Sequence, residues 1–223
     1  MISPPEKEKI KALEEMLMLL GLPAGAERLG KLKSYLSLIE LASSRHSLVG
    51  DKEYRKLVFK HLYDSLYPLT VMRVETGPLL DLGTGAGLPG IPLKIFLPEI
   101  PVYLLDSNRR KINFVKHACR SLGFHKAYGV TGRAESLARE PCYREAFHYL
   151  FSRAVAPIRE LAKIAFPFAA PGGRLVFYKG PALEKEISGA KAVIDGLGGR
   201  IKKELSYRLP TGERRLLVIM EKL

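Results

Sequence analysis

The stretch Leu79–Leu93, LLDLGTGAGLPGIPL, restricts the possible folds more than any other part of the chain. It opens with a short apolar run carrying one acid, Asp81. It then passes through three alternating glycines, Gly83, Gly85 and Gly87, and enters a second apolar run at Gly90. A strand, a loop almost without side chains and a helix in direct succession form the start of a βα unit, and such units assemble into a parallel sheet covered on both faces. Alternating glycines permit positive φ, clear the way for a ligand and let the next helix pack close to the strand. The helix start beyond them offers free N–H groups and a partial positive charge. Ligands in such sheets bind at the carboxyl ends of the strands, where this loop lies.

The remaining pattern supports an α/β reading. Residues 77–83, 101–106, 126–132, 148–155 and 172–180 read as strands. Helices are expected after the glycine loop as far as Phe96, over 107–122 (closed by Gly123), and near 157–169 and 182–197. The last 24 residues, RIKKELSYRLPTGERRLLVIMEKL, read as an antiparallel strand pair around a Pro-Thr-Gly turn. The first 70 residues carry no strand signal. Helices are expected there over 6–20, with Ile10, Leu13, Leu17 and Leu20 on one face, over 25–43 with Leu29, Leu32, Leu36 and Ile39, and over 51–67. The expected organisation is a single unit of residues 1–223, in which a helical extension over 1–70 packs on a Rossmann-like core over 71–223.

Two ligand classes suit the loop. Gly85, Gly87 and Gly90 fit G-x-G-x-x-G, and Asp106 stands 21 residues beyond Gly85, which is the pattern of a dinucleotide site. Asp81, Gly83, Gly85 and Gly87 equally fit (D/E)-x-G-x-G-x-G, the form used for S-adenosylmethionine. Both readings ask Asp106 to bond the ribose hydroxyls, and they part at Asp81. A negative charge suits an ammonium and a sulfonium better than a pyrophosphate, and an antiparallel strand pair is the usual end of methyltransferase sheets.

Composition narrows the partners. Lys and Arg number 36 against 23 Asp and Glu, a net charge of +13 that attracts polyanions, nucleic acid first. Cys119 and Cys142 form no CxxC pair, and the five histidines form no HExxH, so no metal is expected. Cys119 falls on the apolar face of a helix and reads as buried filler. No apolar run approaches the roughly 20 residues of a membrane span, and the first residues resemble neither signal peptide nor anchor. A soluble, cytoplasmic monomer is expected.

LLDLGTGAGLPGIPL, LLDSNRRKINFVKHACRSLG, GRAE and SRAVAP follow one another in the order and spacing of one family. KHLYDSL at 60–66, PGG…YKG at 171–180 and ERRLLVIMEK at 213–222 belong to the same pattern. The chain resembles the bacterial small-subunit ribosomal RNA guanine-N7 methyltransferases, known as RsmG or glucose-inhibited division protein B. The resemblance implies a class I S-adenosylmethionine-dependent methyltransferase fold and 16S ribosomal RNA, free or in the ribosomal subunit, as substrate. It implies cofactor contacts at Gly83, Leu88, Ala134, Glu135 and Arg153, beside the ribose role of Asp106 and a place for Gly85 in the loop. The chain departs from that pattern at Ser47, Leu48 and Val49, where Asn-Leu-Thr is usual, and at His148, where an acid is common.

Individual residues carry further expectations. Arg109, Arg110 and Lys111 occupy the first turn of a helix, the end of the dipole that prefers acids, which suggests another use beside the cofactor mouth. Arg109, Arg110, Lys179 and Arg214 are the candidate RNA contacts. His61 and Asp64 stand about one turn apart and read as a helix-packing polar pair. Guanine N7 carries a free lone pair, so the expected chemistry needs positioning and no general base.

Overall fold

The structure, a computed structural model, describes residues 4–43, 50–51, 53–153, 156–180 and 183–223. Ser47, Leu48 and Val49 lie outside them. The chain opens with helices α1 (Pro4–Leu20) and α2 (Ala26–Ser43). A helical run follows, made of α3 (Tyr54–Lys56), a π-helical stretch Leu57–Leu62, α4 (Tyr63–Leu66) and α5 (Pro68–Val71). The βα units are β1 (Leu79–Leu82), α6 (Gly90–Phe96), β2 (Val102–Asp106), α7 (Arg109–Ser121), β3 (Ala127–Thr131), α8 (Ala134–Leu137), β4 (Phe147–Arg153), α9 (Ile158–Ala165) and β5 (Ala169–Lys179). Helix α10 (Leu183–Gly196) leads to β6 (Gly199–Arg208) and β7 (Arg214–Lys222).

Among the described residues, seven strands form one sheet in the order β3-β2-β1-β4-β5-β7-β6. Strands β1 to β5 pair in parallel, and β7 lies antiparallel between β5 and β6. The four residues of β1 are all buried, which is why LLDL reads as a continuous rather than alternating run. Successive side chains leave a strand on opposite faces. Leu79 and Val176 thus join one apolar layer, and Leu80, Leu175 and Phe177 join the other.

The first layer is closed by the N-terminal helices. Leu13, Leu17, Leu32, Leu36 and Ile39 are buried in it together with Leu79, Val102 and Leu104 of the sheet. Each buried leucine contributes roughly 1.5–3 kcal/mol over an exposed one. The Tyr35 hydroxyl donates to the Ala86 carbonyl at 2.9 Å inside this layer, tying α2 to the glycine loop. Helices α9 and α10 cover the opposite layer through Leu161, Ala162, Ala190 and Ile194. Cys119 is buried in the first layer as its helical face implies, and burial pushes its thiol up to about 11.

Three local expectations differ. The helix read over 51–67 is interrupted by the π-helical Leu57–Leu62, whose apolar residues Leu57, Val58, Phe59 and Leu62 are buried just as those of an α-helix would be. The helix read over 157–169 stops at Ala165, passes through a 3-10 turn at Phe166–Phe168, and yields to β5, which begins at Ala169 rather than 172. Short α8 follows β3 without any expectation in the sequence.

Candidate functional site

The turn after β1 is held from below. Gly83 and Thr84 N–H groups donate to the Leu105 carbonyl at 2.8 and 2.9 Å, which joins the loop to β2. Gly85 has φ +59°, and its N–H donates to Asp106 Oδ2 at 3.0 Å. Gly90 serves by close approach: a Cβ there would stand 2.7 Å from both Asp81 Oδ2 and Leu104 Cδ2.

Asp81 is fully buried beneath this turn. Its Oδ2 accepts from Thr84 Oγ1 at 2.6 Å and from the Gly90 N–H at 2.7 Å, while its Oδ1 has no hydrogen-bond partner among the described residues. Burial raises the carboxyl to about 7 against the pull of Thr84, Gly90 and Arg153, and the nearby Asp106 adds to the rise. This corrects the assignment of Asp81 to a cationic ligand. The side chain binds the Thr84 hydroxyl in the loop and the Gly90 N–H at the start of α6, and forms no part of the cavity wall.

A cavity of about 510 Å³ opens at the carboxyl ends of β1, β2 and β4. Its walls include Gly83, Leu105, Asp106, Lys111, Arg133, Ala134, Glu135, Arg153, Leu161 and Ile164. The size falls within the roughly 300–1,000 Å³ of small-molecule sites. Asp106 ends β2 with its carboxylate held at two points: Oδ2 by Gly85 and Oδ1 by the Asn108 N–H at 2.8 Å. Each oxygen keeps lone-pair capacity, so the fixed carboxylate can accept two adjacent hydroxyls. Lys111 Nζ stands 3.9 Å from it. Asn108 caps α7 by accepting from the Arg110 and Lys111 N–H groups, which satisfies the helix start locally. A glycine edge without side chains, a fixed diol acceptor and apolar Leu161 and Ile164 together fit a nucleoside-bearing ligand.

A second cavity of about 260 Å³ adjoins the first, lined by Lys60, His61, Asp64, Arg153, Tyr178, Lys179, Gly180 and Arg215. Arg153 belongs to both walls. Its Nη1 donates to the His61 carbonyl at 3.3 Å and approaches Asp64 Oδ2 at 3.5 Å, and its Nη2 lies 3.2 Å from His61 Nδ1. Asp64 Oδ1 accepts from the Tyr207 hydroxyl, and Lys179 Nζ donates to the Ala156 carbonyl. His61 Nε2 meets Asp51 Oδ2 at 2.9 Å, and Lys60 Nζ shares that oxygen at 3.0 Å. A third cavity, of about 420 Å³ beside Met72, Tyr149 and Arg174, shares no residue with these two.

The structure thus brings Gly83, Asp106, Ala134, Glu135 and Arg153 to one cavity, with Gly85 bonded to its edge. Leu88 is buried in the apolar layer beneath the loop and lines neither cavity. Among the basic candidates only Lys179 lines a cavity; Arg109 and Arg110 are exposed at the start of α7, outside both. Arg214 gives its Nε to Ser206 Oγ at 3.1 Å, and its neighbour Arg215 is the one on the cavity face, 3.9 Å from Asp64. Strand alternation along RRLLVIM is the signal that could have separated them. His61 and Asp64 do not pair with each other; both hold Arg153. The sequence gives no signal for Lys60, Asp51 and Tyr207 here, because they come from a π turn, a loop and a distant strand.

Comparison with known proteins places this geometry in a family. The family described as GidB, rRNA small subunit methyltransferase G, matches residues 28–208. A ribosomal RNA small subunit methyltransferase G from Thermotoga neapolitana is 38% identical over 85% of this chain and 82% of its own. The protein of the same name from Pelotomaculum thermopropionicum is 37% identical over 92% and 86%. Among solved structures, a SAM-dependent methyltransferase from Aquifex aeolicus superposes with TM-score 0.56 at 17% identity, covering 75% of this chain and 93% of that one. One from Methanosarcina mazei gives 0.54 at 17%, over 70% and 97%. These structures share the class I fold with the seven-stranded sheet described above. With a family match over most of its length, the chain belongs to the rRNA small subunit methyltransferase G family.

Proposed function

We propose that the protein is an S-adenosylmethionine-dependent methyltransferase acting on N7 of a guanine in 16S ribosomal RNA. In this reading the larger cavity holds the cofactor and the smaller one receives the acceptor base. The observation that carries it is the meeting of the two cavities at Arg153, beside the fixed Asp106 carboxylate. Asp106 accepts the ribose hydroxyls, Gly83 and Gly85 leave room for the ligand, and Ala134 and Glu135 flank the nucleoside. Leu88 supports the loop from beneath. When bound, S-adenosylmethionine supplies an electrophilic methyl group on a sulfonium.

Guanine N7 attacks with its own lone pair, so no side chain needs to remove a proton. The residues act by placing the base in line with the methyl group, and such placement supplies roughly 7–11 kcal/mol of a barrier. An unpaired or extruded guanine is required for access. Lys60, Lys179 and Arg215 line the acceptor cavity and attract the RNA backbone, and the exposed Arg109 and Arg110 add basic surface at the start of α7. The protein works in this reading as a cytoplasmic monomer.

The test is calorimetry with S-adenosylmethionine and with NADH, on the wild type and Asp106→Ala, followed by mapping of methyl groups on small-subunit RNA. Binding of S-adenosylmethionine alone, lost in the variant, and a methyl at guanine N7 are expected. Binding of NADH instead, or of neither ligand, overturns the reading.

A further inference from the structure

The His61–Arg153 contact fixes a protonation state. A guanidinium has donors only, so a ring nitrogen in hydrogen-bond contact with it must be the acceptor. His61 Nδ1, 3.2 Å from Arg153 Nη2, is therefore unprotonated. A neutral imidazole then carries its proton on Nε2, which donates to Asp51 Oδ2 at 2.9 Å. Partners on opposite sides of the ring select the same tautomer. The His61 carbonyl also accepts from Arg153, so one residue of the π-helical stretch grips the guanidinium with both backbone and ring. π-helical turns recur at functional sites, and here the turn faces the carboxyl end of β4.

We propose that His61 is a positioning residue: in its neutral, Nε2-protonated form it holds Arg153 at the wall between the two cavities, and a second proton on the ring releases it. The proposal rests on the reading that this wall separates cofactor from acceptor. A proton on Nδ1 removes the acceptor and sets a cation against a cation. The surroundings oppose that charge on balance. Lys60 lies beside the ring, Arg153 faces it from β4, and Lys179 and Arg215 reach the same cavity from β5 and β7. Asp51 favours the charged ring, while Asp64 is already engaged by Arg153, Arg215 and the Tyr207 hydroxyl. Tyr178, fully buried with its hydroxyl on the Ser65 carbonyl, brings no charge. Burial first and Arg153 second hold the imidazole below its ordinary value, against Asp51.

The experiment combines ring-nitrogen NMR with pH profiles of kcat/KM for S-adenosylmethionine-dependent methylation of small-subunit RNA. It uses the wild type, His61→Asn and His61→Leu. Asparagine keeps an acceptor near the Nδ1 position and does not titrate. The expected spectra show Nδ1 unprotonated and Nε2 protonated at neutral pH. The wild-type rate is expected to fall about tenfold per pH unit on the acid side of the His61 midpoint, and His61→Asn to lack that limb. At neutral pH His61→Asn should exceed His61→Leu by about tenfold, the worth of one hydrogen bond to a charged group. A protonated Nδ1 at neutral pH, or the same acid limb in His61→Asn, overturns the proposal. If the wild type neither binds S-adenosylmethionine nor methylates RNA, the positioning role falls with the functional reading, and the spectra alone report whether the ring contact exists.

Discussion

Replacing Asp81 by asparagine isolates one buried charge. The unfolded carboxyl ionises near 3.8 and the folded one near 7, so between those values the folded state holds the extra proton. Its stabilising contribution is complete below the unfolded value and is lost as pH rises through the folded one. The proton goes to Oδ1, the oxygen without a partner, because Oδ2 already accepts from Thr84 and Gly90. Asparagine presents an oxygen to the same two donors and cannot ionise. At about 1.4 kcal/mol per pH unit, the stability of the variant relative to the wild type should rise by roughly 4 kcal/mol across the full interval. An assay from about pH 5 to about pH 8.5 sweeps roughly 3 kcal/mol of it. For a chain of this size that widens the difference in Tm by roughly 6–12 °C in favour of the variant. At the acid end the wild-type Oδ1–H and the asparagine N–H₂ both lack an acceptor among the described residues, so the two proteins start close in stability and the gap opens as pH rises. Parallel thermal-unfolding curves, with a constant gap across the range, would refute the reasoning, because they would mean that the wild-type carboxyl does not change charge in the folded state there.

Two further outcomes follow from the same contacts. Tyr35→Phe leaves the buried Ala86 carbonyl without its donor and should cost about 1–3 kcal/mol in denaturant unfolding, with weaker S-adenosylmethionine binding because the glycine loop loses its tie to α2. Arg215→Ala should raise KM for small-subunit RNA several-fold and reduce the log–log salt slope of binding by about one, whereas Arg214→Ala should leave both near wild type.

The glycine loop and the strands around it were legible because backbone requirements fall on few residue types. Only glycine tolerates the turn at Gly85 and the contact at Gly90, and fully buried strands show as apolar runs. Asp106 was legible for a related reason, since its distance from the loop is set by the βα unit. The π turn was not legible, because KLVFKHLYDSL buries the same side of a helix whether it contains a wide turn or not. Spacing placed Asp81 beside the ligand, but it cannot tell the upper from the lower side of a loop, and the structure turns the carboxylate downward. The partners of Arg153 were beyond reach for a different reason. His61 and Asp64 are 92 and 89 residues away from it, and only the docking of the helical run on the strand ends brings them there.

The position of β7 bears on how the protein comes into being. It follows every other strand in the chain, yet it sits between β5 and β6 rather than at the margin of the sheet. A nascent polypeptide that has released residues up to 208 already contains Gly83, Asp106 and Arg153, but β6 has no neighbour to pair with and Arg215 is missing from the wall of the smaller cavity. Domains fold largely as units during synthesis. Translation thus leaves the sheet open until its last strand is released, and β7 then closes it from within, between two strands that were made earlier.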